Sequence, residues 1–347
     1  MRFPEFSGEW ISKTIGDIAP LQRGFDLPTG QINNGKFPVV YSNGIMNYHS
    51  SYKCVAPGLI TGRSGTIGKF TYIEDGYYWP HNTSLWVTDF YDNNPKFIYY
   101  LYQTIRIEQY STGSGVPTLN RNNVHRHKIF IPKLKEQNKI ATILSLLDER
   151  IATQTKIIDK LQTLIKGISC RIFTSIQGIE YRMGDIASIT NGDSNVQDAV
   201  TESKDGLYPF FDRSEDIKYL PTYLFDKEAI IYPGEGAEFM PRYFKGKFAL
   251  HQRCYAIFDF NEIINAQYLY FYLKTQNSYF VRNAVGSTVP SLRLDTFQKL
   301  KVVVPPKKIQ YSVSLCLSSM EQMFNVENEI LQMLLKQKQY LLRQMFI

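Results

Sequence analysis

The chain has 347 residues, 44% of them apolar and 20% charged, and its 39 Lys and Arg against 32 Asp and Glu leave a net charge of +7. That balance excludes a disordered chain and leaves room for two domains of ordinary size, while the basic excess, with a pI near 9.0, favours an anionic partner such as nucleic acid. Cys54, Cys170, Cys254 and Cys316 stand far apart without zinc-ligand spacing and read as reduced core thiols of a cytoplasmic protein; no run of 18 apolar residues is present to span a membrane.

The opening residues MRFPEFSGEW hold no apolar signal core. Strand-type runs follow at 37–41, 68–73 and 83–87, then a Tyr-rich helical segment at 97–104, a turn at Val116-Pro117 and a closing strand at 128–131. Beyond Pro132 the pattern turns helical. Apolar residues fall at Ile140, Leu144, Leu147, Ile151, Ile158, Leu161, Ile165, Ile168 and Ile172, in steps of four and three, with Gln154 as the polar interruption. This is the a/d seam of a coiled coil. Strand-type runs resume at 208–211, 229–232, 247–250 and 254–258, followed by a second Tyr-rich segment at 268–275, Val289-Pro290 and a strand at 300–304. The chain closes on a second seam: Val313, Leu317, Met320, Phe324, Glu327, Leu331, Leu334, Lys338, Leu341 and Met345.

The second half restates the first. Gly16-Asp17-Ile18-Ala19 returns as Gly184-Asp185-Ile186-Ala187, 81–90 aligns with 251–260, and Ile131-Pro132 with Val304-Pro305. A period of about half the chain means two homologous domains rather than a solenoid. The interruptions at Gln154 and Glu327 also recur in register. The two helices are therefore expected to pack antiparallel, with these residues meeting as a register-fixing polar pair. The alternative is two separate amphipathic helices, each lying on its own module. About 37 helical residues span roughly 55 Å, enough to hold two readers on successive major grooves about 34–36 Å apart.

Catalytic signatures are weak. Gly62 to Lys69 has the wrong spacing for a phosphate loop, and Phe70 stands where Ser or Thr is needed. A glycine-rich hairpin presenting cations to a polyanion and an ordinary solvated turn are both open readings. His81 and His251 recur without neighbouring ligands. Asp193 with Glu202-Ser203-Lys204 is a chance-grade nuclease pattern, absent from the first module. No chemistry of the chain's own is expected, and no metal site.

The motifs together resemble the specificity (S) subunits of Type I restriction-modification systems. The resemblance covers the whole chain and rests on Arg2-Phe3-Pro4-Glu5-Phe6-Ser7-Gly8-Glu9-Trp10, on Gly16-Asp17-Ile18, and on Ile131-Pro132 followed by Glu136-Gln137, Lys139-Ile140-Ala141, Leu147-Asp148 and Ile151. It implies an α+β fold of two homologous target-recognition domains, 1–133 and 174–305, separated by two long antiparallel spacer helices, 134–173 and 306–347, that form a coiled coil with pseudo-two-fold symmetry. It implies that each domain reads one half of a bipartite, asymmetric target on double-stranded DNA. The helices would dock two methyltransferase (M) subunits, joined by restriction (R) subunits, in defence against foreign DNA. S-adenosylmethionine, ATP and Mg would belong to those partners and no cofactor to this chain. The second helix departs from the family pattern: its seam is more polar and it lacks the Glu-Gln pair.

Base readers must come from polar and charged side chains. The candidates are Arg63, Ser64, Lys69, Asn82 and Arg121 in the first module, and Glu235, Glu238, Arg242, Lys245, Gln252 and Arg253 in the second; for each, a solvated surface residue is the alternative. The helix–helix seam is expected at Ile140, Leu144, Leu147, Ile151, Gln154, Ile158, Leu161, Phe324, Glu327, Leu331 and Leu334. Competing functions are a free-standing DNA-binding regulator, a nuclease, and an interaction scaffold without nucleic acid.

Overall fold

A computed structural model describes residues 2–113 and 115–346. The chain divides into two compact units, one running to Thr155 and resuming at Glu329, the other running from Lys156 to Asn328. Two helices, Leu134–Ser175 and Lys307–Met345, cross that division, so each unit owns one half of each helix. At 1.5 Å per residue the 42-residue central helix is about 63 Å long. Among the described residues no helix is long and apolar enough to cross a membrane.

The second unit is built on a sheet of six strands. Their order is Ser188–Asn191, Cys254–Phe258, Phe225–Pro233, Arg242–Leu250, Tyr208–Phe211 and Lys218–Leu220. The first unit repeats this order with its two long strands broken. Cys54–Val55 and Gly58–Gly62 take the place of Phe225–Pro233, and Phe70–Ile73 with Tyr77–Pro80 take the place of Arg242–Leu250. Pro57, lacking an N–H for the ladder, stands at the first break; the turn through Gly76, whose φ of 83° suits glycine, makes the second. The sequence-based strands at 229–232 and 247–250 are thus the C-terminal parts of nine-residue strands, buried except at Lys247. Each unit has one parallel strand pair, Val39–Val40 beside Trp79–Pro80 and Phe210–Phe211 beside Ala249–Leu250, and an equivalent parallel bridge, Phe25 to His81 and Ser194 to His251.

The Tyr-rich helices, Pro95–Thr104 and Ala266–Lys274, start on equivalent caps. Asn94 Oδ1 accepts from Phe97 N, and Asn265 Oδ1 from Tyr268 N, both at 2.9 Å. Each cap is tied to a long helix by a buried glutamine. Gln137 Oε1 accepts from Asn94 N at 3.0 Å while Nε2 donates to Pro132 O and Asn93 Oδ1. Gln310 Oε1 accepts from Asn265 N at 2.7 Å while Nε2 donates to Pro305 O and Ile263 O. The Glu-Gln pair is therefore only half missing from the second helix: Gln310 retains the glutamine's task, and Ile309 replaces the glutamate. Glu136 itself is buried and held by Arg2 through two 2.9 Å contacts.

Within each unit the helices pack in opposite directions. In the first, Ile140, Ala141 and Leu144 near the start of the central helix share a core with Leu341, Leu342 and Met345 near the end of the other. In the second, Ile168, Ile172 and Phe173 share a core with Val313, Leu317 and Met320. Every seam position from Ile140 to Ile172 and from Val313 to Met345 is buried or half-buried. Gln154 is buried and Glu327 half-buried, each next to the end of its unit. The polar seam residue Lys338 is satisfied: Nζ lies 2.6 Å from Asp148, which also accepts from the Tyr100 hydroxyl at 2.9 Å. In the second unit Glu321 accepts from the Tyr270 hydroxyl and from Lys274. One expectation fails. Cys54 and Cys254 are buried, with thiols pushed up to about 11 by desolvation, but Cys170 and Cys316 are exposed, because each occupies an outward position between seam residues.

Candidate nucleic-acid interface

Three segments converge in each unit. The first is a turn headed by histidine. His81 N donates to Val40 O, Ser84 N donates to His81 O, both at 2.9 Å, and His81 Nδ1 accepts from Thr83 N at 3.3 Å. His251 N likewise donates to Phe211 O, Cys254 N to His251 O, and Arg253 N to His251 Nδ1 at 3.2 Å. Burial lowers the pKa of both imidazoles, which favours the neutral, accepting form. The recurrent histidines are thus turn-forming residues, and no group of acidic, Cys and His side chains among the described residues is arranged to hold a metal.

The second segment is the glycine-rich loop and the third the Val-Pro strand that closes on it. Arg63 N donates to Thr83 O, Leu119 N to Arg63 O, and Gly65 N to Pro117 O. The second unit repeats two of these links, with Leu292 N donating to Gly234 O and Gly236 N to Pro290 O. Ser64 bridges Thr118 as Glu235 bridges Ser291. A fourth strand passes so close to the turn that only glycine fits: a Cβ on Gly24 would stand 2.1 Å from His81 O, and one on Gly192 2.0 Å from Leu250 O. The loop after Gly62 leads into the strand Phe70–Ile73, where a phosphate loop would need a helix. Glu202 and Lys204 form an exposed pair at 3.5 Å, while Asp193 bonds Ser194.

On this frame the candidate side chains take different tasks. In the first unit Arg63 Nη1 donates to Asn82 O at 3.2 Å, and the Asn82 amide donates to Asp26, which also accepts from Arg23 at 3.1 Å. Arg23 and Asp26 were not among the sequence candidates; no motif marks them, and they stand more than fifty residues from Asn82. Lys69 Nζ donates to Asn43 O at 2.7 Å, Ser64 is half-buried, and Arg121 is exposed at the start of a short helix capped by Asn120. In the second unit Arg253 pairs with Glu235 at 2.5 Å. Glu238, Lys245 and Gln252 are exposed. Arg242 lies 5.4 Å over the Phe211 ring and donates to Asp212 O and Ser214 O, each at 2.7 Å, so its guanidinium props the loop at 212–215.

Comparison with known proteins gives a consistent result. The family model for the Type I restriction modification DNA specificity domain matches twice, at 7–163 and 179–336. The chain is 30% identical over 125 residues to the Type I restriction enzyme EcoDI specificity subunit of Escherichia coli, covering 35% of this chain and 26% of that protein. It is 27% identical over 165 residues to a putative type I specificity subunit of Mycoplasma pneumoniae, covering 46% and 44%. The chain thus spans less than half the length of these curated relatives. The solved Type I restriction-modification S subunit from M. genitalium superposes with a TM-score of 0.74 at 18% identity, over 100% of this chain and 99% of that one, and so shares its fold.

Proposed function

Since the chain belongs to the family of Type I restriction-modification DNA specificity domains, we propose that it is the specificity subunit of such a system and that each unit reads one half of a bipartite, asymmetric sequence on double-stranded DNA. One observation carries this reading. The same three backbone segments meet in both units, yet equivalent places hold Arg63 and Gly234, Ser64 and Glu235, Asn82 and Gln252. A constant frame with divergent polar loops suits recognition of two different sequences. The chain supplies the address. Two methyltransferase subunits dock on the long helices and carry S-adenosylmethionine, and restriction subunits supply the ATP- and Mg-dependent steps. Arg121, Arg63, Ser64, Lys69 and Asn82 in the first unit, and Glu238, Lys245, Gln252, Glu235 and Arg253 in the second, supply the contacts to bases and phosphates.

The test exchanges 184–304 for the matching part of a relative and maps methylated adenines in cells. One half of the methylated sequence changes and the other stays. If both halves change, or neither, the modular reading is wrong. A site bound tightly by the lone chain, with no methylation anywhere, would identify a free-standing regulator instead.

A further inference from the structure

Each unit carries an exposed aromatic cluster that the recognition edge does not use. In the first unit Tyr52 and Tyr77, 45% and 43% exposed, lie 4.3 Å apart between ring centroids, and Phe37 meets them at 5.0 and 5.8 Å. In the second unit Tyr208 and Tyr223 meet at 4.7 Å, with Tyr223 43% exposed. The parallel ladders show that these places are equivalent. Val39 stands beside Trp79 as Phe210 stands beside Ala249, so Phe37 and Tyr77 occupy the positions of Tyr208 and Lys247. A lysine lies over the rings in both units: Lys36 Nζ is 5.5 Å from the Phe37 centroid, and Lys247 Nζ is 4.7 Å from Tyr223.

Cys54 pairs with Tyr78 as Phe225 pairs with Phe248, so the exposed Tyr52 and Tyr223, two residues upstream, are equivalent, and each sets its ring against a second aromatic residue in modules whose loops have otherwise diverged. Rings and a lysine together suit a sugar–phosphate strand, the rings covering deoxyribose and the ammonium meeting a phosphate. The distance fits. In the first unit the strand Phe37–Tyr41 runs from the cluster to the recognition turn, where the Tyr41 ring lies 4.2 Å from that of His81. Four residues of strand cover about 13 Å, which is about four base pairs at 3.4 Å each.

We propose that the two clusters are sequence-independent backbone grips, each holding a DNA strand about four base pairs from the bases its own unit reads. This rests on the proposed function and adds to it a second contact in each module. The test uses the assembled methyltransferase complex and duplexes of its mapped target carrying a single neutral methylphosphonate at each phosphate in turn. Lys247→Gln is expected to weaken binding to the unmodified duplex about tenfold and to lower the salt slope by about one. It should also be insensitive to one methylphosphonate, beside one half-site, that weakens the parent protein. Lys36→Gln should behave alike beside the other half-site. Tyr52→Ala and Tyr223→Ala, at exposed positions, should weaken binding without altering the methylated sequence. Unchanged affinity in all four variants overturns the proposal. So does lost subunit assembly with intact DNA affinity, which would make the clusters a protein contact, or a changed methylated sequence, which would make them base readers. If the parent complex methylates no defined sequence, the proposed function itself fails, a distinct result.

Discussion

Gln310→Leu tests how each module is fixed to its helix. The glutamine is wholly buried, donates to Pro305 O at 2.8 Å and Ile263 O at 2.9 Å, and accepts from Asn265 N at 2.7 Å. Leucine keeps much of the volume and removes all three bonds. At about 1 kcal/mol per net hydrogen bond, with a further penalty for the stranded amide, the loss is about 3–4 kcal/mol. For a unit of this size that lowers Tm by roughly 10 °C. Thermal unfolding of the full chain measures the total, and amide exchange locates it. Asn265 caps the helix Ala266–Lys274, so the first-turn amides of that helix should exchange faster while those of Pro95–Thr104 do not. Gln137→Leu should give the mirror result. A loss below about 1 kcal/mol, or equal acceleration in both Tyr-rich helices, refutes the assignment of the glutamines as the tie between module and helix.

Other outcomes follow from particular contacts. Asp148→Lys sets two ammonium groups together at the seam and should destabilise by about 2 kcal/mol or more, with the added change Lys338→Asp restoring most of it in urea melts. Gly24→Ala and Gly192→Ala each push a Cβ onto a backbone carbonyl and should cost about 3 kcal/mol, each abolishing methylation because one half-site reader is distorted. Burial depresses His81, His125, His127 and His251. Their contribution is complete above the unfolded histidine value and falls as pH drops below it toward the folded values, so Tm should decline below about pH 6.5. Asp17 is depressed by its hydrogen bonds to Thr14; burial opposes the shift at Asp212, but bonds from Lys218 and Ser214 outweigh it. Those carboxylates add a second decline only below about pH 4. A Tm flat between pH 7 and 5 would contradict the histidine assignment.

The long helices were legible because an apolar seam is a local, periodic signal, and burial needs the same spacing that the sequence displays. In the first unit the glycines hid a fully buried strand, Gly58–Gly62, which the sequence pattern did not reveal; in the second unit the two long strands were legible in their C-terminal halves only. Residues 225–228 and 242–246 carry Asp226, Lys227, Glu228, Arg242 and Lys245, and so read as loop until their ladder is seen. Lys338 looked like a defect in the seam because its partner Asp148 lies nearly two hundred residues away. Gln310 was missed since Ile309 in place of glutamate hides the pair. Arg23 and Asp26 carried no signal at all: their link to Asn82 is tertiary, and nothing in a strand-edge Arg and a loop Asp announces it.

How one frame carries two different sets of polar side chains follows from which atoms build it. The convergence of turn, loop and strand is made by main-chain donors and carbonyls, two imidazoles, and glycines at Gly24 and Gly192. None of those links uses the side chains of Asn82 or Ser64, nor of Gln252, Arg253 or Glu235; in the first unit the Thr83 hydroxyl does meet the imidazole, 3.0 Å from His81 Nδ1. Those positions can change identity and charge while the backbone bonds that aim them remain. The second unit displays the consequence: an Arg253–Glu235 ion pair stands where the first unit has Thr83 and Ser64, on the same turn and the same bridge. Phosphate contacts made elsewhere on a module carry no sequence information, whereas base contacts depend on these side chains. Under the proposed function, a module built this way changes the sequence it reads by surface substitution, without refolding.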